Sequence, residues 1–314
     1  MSIRQWYRIA LLGVCTAACT ATPTDALPGV GVVDVVAVSE DGAWLAVGAR
    51  KHVQVHRVGV AGMLFEPRQF ELPEPSALTH LAVTADPLRV AVGGQGGLAC
   101  WTPEANTFAP VDSEPVLALA VRGREFLVGA YPASIGKVKI DDLKWTDCDL
   151  PPGVPMGVAL LPDGGMVVGD DRGLLTMTDA TGQTRKIECG APIDGVLVTR
   201  DGDVLVGGDK YPRLVKSGAE EKSEQLGKKS HERWIRRMAL SGNGQILATT
   251  DGADVRFFDV AARRDLGHIP AGEPNDRVLD LALSYDGNVV FVAWSVSKLL
   301  RQAWRSEAER EPGR

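Results

Sequence analysis

A tight turn recurs along this sequence at nearly constant spacing, and this regularity restricts the fold more than any other feature. The turn position holds glycine six times and proline once: Gly42, Pro87, Gly123, Gly164, Gly202, Gly244 and Gly287. Successive spacings are 45, 36, 41, 38, 42 and 43 residues, about 41 on average. Glycine accepts the positive φ that such turns require, so each turn predicts a hairpin between its flanking apolar segments. A period of this length indicates stacked supersecondary units rather than independent domains.

Each unit contains the same succession of short segments. Over residues 255–294, the run 255–259 is β-branched and aromatic, residues 278–284 have a period of two that leaves one face apolar throughout, and residues 288–294 return after the Asp286-Gly287 turn. Period-two alternation and β-branched residues are typical of strands. A fourth, more polar segment completes most units and suits an outer sheet edge, where charge discourages aggregation. About 41 residues with several strands per unit predicts propeller blades, and seven turns predict seven of them.

The same order of segments resembles a WD repeat. Phe258-Asp259 stands where that family has Trp-Asp at the end of the third strand, and Gly267-His268 matches its Gly-His. Trp101 and Trp304 match the tryptophan of the family's Trp-Asp pair, but neither is followed by aspartate. The resemblance implies an all-β, seven-bladed β-propeller of four-stranded antiparallel blades. Because Gly-His occurs once, we expect the family's recurrent His–Asp hydrogen-bond network to be mostly missing.

Three segments are predicted along the chain: a signal peptide over residues 1–18, the propeller over 19–304 and a charged tail over 305–314. The seventh unit has no fourth strand pattern, whereas residues 21–31 supply about one extra strand before the first unit. In WD-repeat proteins one terminus commonly completes the blade of the other. We therefore expect an N-terminal strand to close the ring.

The N-terminal segment predicts export. Arg4 and Arg8 precede a short apolar stretch that is far too short to span a bilayer as a mature helix. Ala17-Ala18-Cys19 resembles the end of a bacterial lipoprotein signal, which implies lipidation at Cys19 and attachment to a membrane of the cell envelope. The alternative is ordinary cleavage after Ala18 or Ala21, which would give a soluble periplasmic or secreted protein.

Charge and cysteine content exclude several functions. The net charge is −6, and −8 once the segment with Arg4 and Arg8 is removed, which disfavours nucleic acid binding. The body keeps three cysteines, an odd number without metal-ligand spacing. Cys100 lies in an apolar run and is interpreted as a core residue, whereas pairing of Cys148 with Cys189 stays open.

The sequence shows no group of residues that would form a metal site or a catalytic site. Aspartates recur at the turns, where their side chains stabilise the turn itself; a ring of metal ligands is the disfavoured alternative. His52 and His56 would lie about 13 Å apart on one strand, and His80, His231 and His268 each stand alone. The glycine-rich run at 93–97 lacks the lysine and helix of a phosphate loop. We expect no cofactor, no metal and no enzymatic activity; the alternative is a lyase- or lactonase-like propeller that uses the central channel mouth.

The connection over residues 216–237 is the longest between units, with seven basic and four acidic residues. A solvated loop would explain it. The alternative is a contact for a protein partner, because tryptophan and arginine are enriched at binding hot spots. The resemblance implies that this connection shares a face with the turns between second and third strands. The predicted partner-binding residues are Arg172, Lys210, Tyr211, Arg233, Trp234, Arg236, Arg237 and Trp294. We expect a monomeric scaffold that binds an acidic protein surface there.

Overall fold

The computed structural model describes residues 33–49, 52–59, 64, 68–72, 78–104, 106–149, 153–217, 223–270, 276–295 and 298–303. The named elements within these ranges are all β-strands, which confirms the predicted all-β class. No helix in this part of the chain has the length and apolar character needed to cross a membrane.

The strands form six antiparallel sheets of four strands and one of three. The first three sheets consist of β1 (Val35–Val38), β2 (Trp44–Ala49), β3 (His52–Arg57) and β4 (Arg68–Glu71); β5 (Leu78–Ala85), β6 (Leu88–Gly94), β7 (Gly97–Thr102) and β8 (Thr107–Asp112); and β9 (Val116–Arg122), β10 (Glu125–Ala130), β11 (Ser134–Lys139) and β12 (Trp145–Asp147). The fourth and fifth consist of β13 (Pro155–Leu160), β14 (Met166–Asp170), β15 (Leu174–Thr178) and β16 (Thr184–Glu188); and β17 (Gly195–Val198), β18 (Val204–Gly207), β19 (Arg213–Val215) and β20 (Ser223–Gln225). The last two consist of β21 (Arg237–Leu240), β22 (Ile246–Thr250), β23 (Val255–Asp259) and β24 (Arg264–Ile269); and β25 (Val278–Leu283), β26 (Val289–Trp294) and β27 (Lys298–Ala303).

The turns between first and second strands have the predicted chemistry. All six turn glycines have positive φ, between 54° and 89°. Asp41 Oδ1 accepts hydrogen bonds from Ser39 Oγ at 2.6 Å and Ala43 N at 3.0 Å. Asp286 repeats the pattern in the last sheet, accepting from Ser284 Oγ at 2.7 Å and Asn288 N at 3.0 Å. These carboxylates stabilise their own turns, as the sequence predicted.

The sheets are arranged in a ring. The first strand of each sheet contacts the first strand of the next, and β25 contacts β1 again. Seven apolar clusters fill the contacts between neighbouring sheets. At the contact between the last and first sheets, Phe291 and Val47 are fully buried. Asp280 Oδ2 there accepts a hydrogen bond from Val36 N at 3.0 Å, which joins strands 244 residues apart in the chain. Burial of each large apolar side chain stabilises such a contact by about 1.5–3 kcal/mol.

The last sheet has three strands among the described residues. The strand predicted to complete it, at residues 21–31, lies outside those residues, as do the signal segment with Cys19 and the tail. Ring closure by the N-terminus stays a prediction.

The three body cysteines are free thiols. Cys100 is buried, and this burial raises the pKa of its thiol to about 12, as suits the core residue predicted from its apolar neighbours. Cys148 contributes to the contact between the third and fourth sheets, and Cys189 to that between the fourth and fifth. They belong to different contacts and do not form the disulfide that the sequence left open.

Candidate functional site

The first strands of all seven sheets enclose a central channel, and a depression of about 1220 Å³ lies at one of its ends. Channel and depression share several lining residues, so the depression is the mouth of the channel. Its charged lining consists of Asp194, Lys210, Glu232, Arg233, Arg236 and Arg237. Two aromatic side chains at its edge, Tyr131 and Trp234, are 57% and 54% exposed.

Trp234 lies on the connection between β20 and β21, near its end, where the chain is hydrogen-bonded on both sides. The backbone N–H groups of His231 and Ile235 donate to the carbonyls of Lys210 and Asp209, at 2.9 and 3.1 Å. Arg236 N donates to Thr250 O at 2.8 Å on the other side. Ile235 is buried, so the chain is fixed directly below the exposed indole. The tryptophan is therefore presented by an anchored connection.

A buried polar network supports this connection. His231 Nδ1 lies 3.0 Å from Asp254 Oδ1, and His231 Nε2 lies 2.7 Å from Thr249 Oγ1. Asp251 Oδ2 accepts from Arg233 N at 3.1 Å, next to Trp234. Burial alone would raise the pKa of Asp254, but the hydrogen bond with His231 and the charge of Arg256 bring it below its usual value. The prediction that His231 stands alone was wrong, because its partners come from β22 and from the turn that follows it.

His231, Asp251 and Asp254 also have ligand atoms within 4.8 Å of one another, a spacing that one metal ion could use. Their polar atoms already have protein partners. Asp251 Oδ1 accepts from Ala253 N at 2.9 Å, and Asp254 Oδ2 lies 3.0 Å from Arg256 Nε. The geometry is that of a satisfied hydrogen-bond network that fixes neighbouring strands.

Titratable side chains gather where the channel opens into the depression. His80 is half-buried, with Nδ1 2.8 Å from Thr79 Oγ1; burial and then the charge of Arg237 lower its pKa to about 4. Burial raises the pKa of Asp280 to about 6, although Arg237 opposes this, with its Nε 3.8 Å from Asp280 Oδ1. Burial likewise raises the pKa of Asp194, against Arg237 and Arg236. At neutral pH this end therefore holds a neutral imidazole and a balanced set of arginines and aspartates.

Comparisons with known proteins identify the fold. No family model and no curated protein matches the sequence. Among solved structures, the β-propeller domain of Cps50 (Swd1) from Myceliophteria thermophila has a TM-score of 0.73 at 13% identity, over 90% of this chain and 99% of that one. A chain of the mitotic checkpoint complex has a TM-score of 0.71 at 18% identity, over 91% and 95%. The chain has a β-propeller fold. At these identities the likeness concerns the fold alone.

The propeller brings five of the eight predicted partner-binding residues together at the depression: Lys210, Arg233, Trp234, Arg236 and Arg237. Arg172 is exposed and Tyr211 half-buried, and neither lines it. Trp294 was predicted wrongly as a surface residue. It is only 5% exposed and packs in the apolar cluster between the last two sheets, since neighbouring sheets cover both faces of β26.

The predicted loop over residues 216–237 is only partly a loop. Its residues 223–225 form β20, the outer strand of the fifth sheet, and Leu226 is fully buried in the contact with the sixth. The segment that reaches the channel mouth is its last part, from His231 to Arg237.

Sequence reasoning missed Tyr131, His80, Asp194 and Asp280 at this mouth. Tyr131 directly follows β10, at a turn between second and third strands, and this position is the signal that could have located it. Asp280 interrupts an otherwise apolar first strand, Val-Leu-Asp-Leu-Ala-Leu.

The opposite mouth of the propeller carries a third exposed aromatic side chain, Tyr285, at 41%. Arg200 Nη2 donates to Tyr285 Oη at 3.0 Å, and the guanidinium lies 5.2 Å from the ring centroid. A Cβ at Gly242 would lie 2.6 Å from Tyr285 Cδ2, so glycine allows the ring to lie between these turns. This tyrosine already has an intramolecular partner, in contrast to Trp234 with its exposed, anchored position.

Proposed function

We propose that this protein is a protein-interaction scaffold and that the depression at the channel mouth is its binding surface. The observation that carries the proposal is Trp234, which is more than half exposed on a connection whose neighbouring backbone groups are hydrogen-bonded. A large aromatic side chain in water gains free energy when a partner covers it. Because the connection is already ordered, little conformational entropy is lost on binding.

We propose further that the ring has seven blades, the last completed by a strand from residues 21–31. The three-stranded sheet β25–β27 occupies a full position between the sixth and first sheets, and a fourth strand would cover the edge of β27. The basic and apolar N-terminal residues that end in Ala18-Cys19 support export and lipidation. The scaffold would then be held close to an envelope membrane.

Co-purification tests the scaffold role. The double variant Trp234→Ala/Arg236→Glu is expected to lose its partners from an envelope extract, because losing a central tryptophan costs about 2 kcal/mol, roughly thirtyfold in affinity. Its thermal midpoint should stay near that of the unchanged protein, since both side chains are exposed. Arg172→Glu is the matched control, an exposed arginine outside the depression. Retention of every partner by a folded double variant would exclude this surface.

A second candidate is a ligand-binding or catalytic propeller, favoured by the convergence of His80, Asp194 and Asp280 on the channel end. The side chains of these three residues do not meet closely enough to hold one metal ion. Within the described ranges, only His231, Asp251 and Asp254 have ligand atoms within 4.8 Å of one another. A thermal-shift screen of small hydroxylated and carboxylated compounds on the unchanged protein and on Asp194→Asn would test it. A stabilising compound lost specifically in the variant would favour this function over the scaffold.

A further inference from the structure

The shape of the depression selects one kind of partner surface. Its volume of about 1220 Å³ exceeds the roughly 300–1000 Å³ of sites for small ligands. Tyr131 follows a strand of the third sheet, whereas Trp234 leads into the sixth. In a ring of sheets, positions that far apart lie on different sides of the mouth. A flat protein surface would contact the rims, but only a narrow, extended segment could touch both aromatic side chains and fill the recess between them.

The charges of the lining oppose the charge of the whole chain. Four cations, Lys210, Arg233, Arg236 and Arg237, face Asp194 and Glu232 in the lining and Asp280 beside Arg237, which gives a local balance of +1 against −6 for the protein. His80 adds no charge at neutral pH because its pKa is about 4. The mouth is therefore electropositive in a protein that is acidic overall.

Three of these cations have room for a ligand. Arg237 donates from Nη1 to Arg236 O at 2.9 Å and approaches Asp280. By contrast, Lys210, Arg233 and Arg236 are exposed, and within the described residues no carboxylate lies within 4.0 Å of their charged groups. Arginine binds carboxylates in a bidentate way, and such pairs gain strength where the partner excludes water.

We propose that the channel mouth binds an acidic extended peptide segment, which crosses from Trp234 to Tyr131 and places its carboxylates on Arg233 and Arg236. This rests on the proposed scaffold function and specifies the partner. The two aromatic side chains provide apolar contact at the ends of the segment, and the arginines beside Trp234 select negative charge. The segment belongs to a partner protein and is recognised by its charge and its extended form.

Fluorescence anisotropy with three labelled dodecapeptides tests the proposal on the purified mature protein. The peptides share one sequence of alternating residues, with aromatic residues near both ends, and differ only in carrying Glu, Gln or Lys at the charged positions. The Glu peptide is expected to bind at least tenfold more tightly than the Gln peptide, with weaker binding as salt concentration rises. Equal binding of the Glu and Gln peptides, or a preference for Lys, would overturn the proposal.

Single substitutions test which residues contact the bound peptide. Arg233→Gln and Arg236→Gln should each weaken the Glu peptide about tenfold and leave the Gln peptide nearly unchanged. Tyr131→Ala should weaken both peptides, and Arg172→Gln should change neither. An effect of Arg172→Gln equal to that of Arg236→Gln would show nonspecific charge attraction and refute the site.

If Trp234→Ala/Arg236→Glu abolishes capture of a native partner but the Glu peptide does not bind, this proposal fails and the scaffold function stands. If the Glu peptide binds as described but no native partner depends on Trp234, the scaffold function fails instead.

Discussion

Replacement of His231 by alanine tests the buried network below the Trp234 connection. The substitution removes one hydrogen bond with a charged acceptor, Asp254, and one with a hydroxyl, Thr249. A hydrogen bond to a charged group contributes about 1.5–3 kcal/mol, and a neutral one about 1 kcal/mol. Asp254 keeps Arg256 as a partner, which limits the cost of leaving its carboxylate behind. The free energy of unfolding should therefore fall by about 3 kcal/mol.

For a protein of this size, that loss lowers the thermal midpoint by roughly 5–10 °C. The assay is thermal unfolding followed by circular dichroism, with His268→Ala as the matched control, because His268 lies exposed on β24 of the same sheet. The control should change the free energy of unfolding by no more than about 0.5 kcal/mol. Amide hydrogen exchange should also accelerate over residues 232–236 in the His231 variant alone. Equal midpoints for the two variants would refute the role assigned to this network, and a large drop caused by a chelator in the unchanged protein would show a metal site instead.

Three further predictions concern the ring, the membrane anchor and the channel end. Deletion of residues 22–31 should lower the thermal midpoint of the whole propeller, whereas removal of residues 307–314 should leave it unchanged; equal midpoints for both deletions would exclude closure by the N-terminus. Cys19→Ser should move the protein from the membrane fraction to the soluble envelope fraction, and an unchanged mass of the parent protein in a lipidating host would contradict lipidation. The pKa of Asp280 is about 6 in the folded protein and 3.8 in the unfolded chain, so its contribution to stability rises as the pH falls through this window. The pKa of His80 is about 4 in the folded protein and 6.5 in the unfolded chain, so its contribution to stability falls as the pH drops from 6.5 to 4. Relative to the unchanged protein, Asp280→Asn should lose stability between pH 7 and 4 and His80→Gln should gain it, as measured by urea unfolding at each pH; parallel pH profiles for all three proteins would refute these shifts.

The repeated units were predictable because their determinants are close together in the chain. A glycine with positive φ, an aspartate that caps its own turn and an alternating apolar strand act within about ten residues. The all-β class and the blade architecture follow from that repetition. Five residues of the candidate surface were also predictable, because the resemblance to WD repeats indicated which connections share a face.

The rest of the site depends on contacts between distant residues. His231 meets Thr249 and Asp254 across two strands, 18 and 23 positions away, and no local pattern marks them as partners. Tyr131 and Trp234 belong to different sheets and reach one depression only because the sheets form a ring.

The period, the turns, the strand order within each unit and the odd cysteine count, which rules out a fully paired framework, all follow from residue types and local spacing. Which side chains reach water depends instead on how the sheets pack against one another. In a propeller both faces of a middle strand are covered by neighbouring blades, so Trp294 on β26 is buried, whereas Trp234 stays exposed above a buried isoleucine. Burial in the ring also sets the pKa values of His80 and Asp280, because desolvation depends on all the strands around the channel and not on the sequence next to either residue.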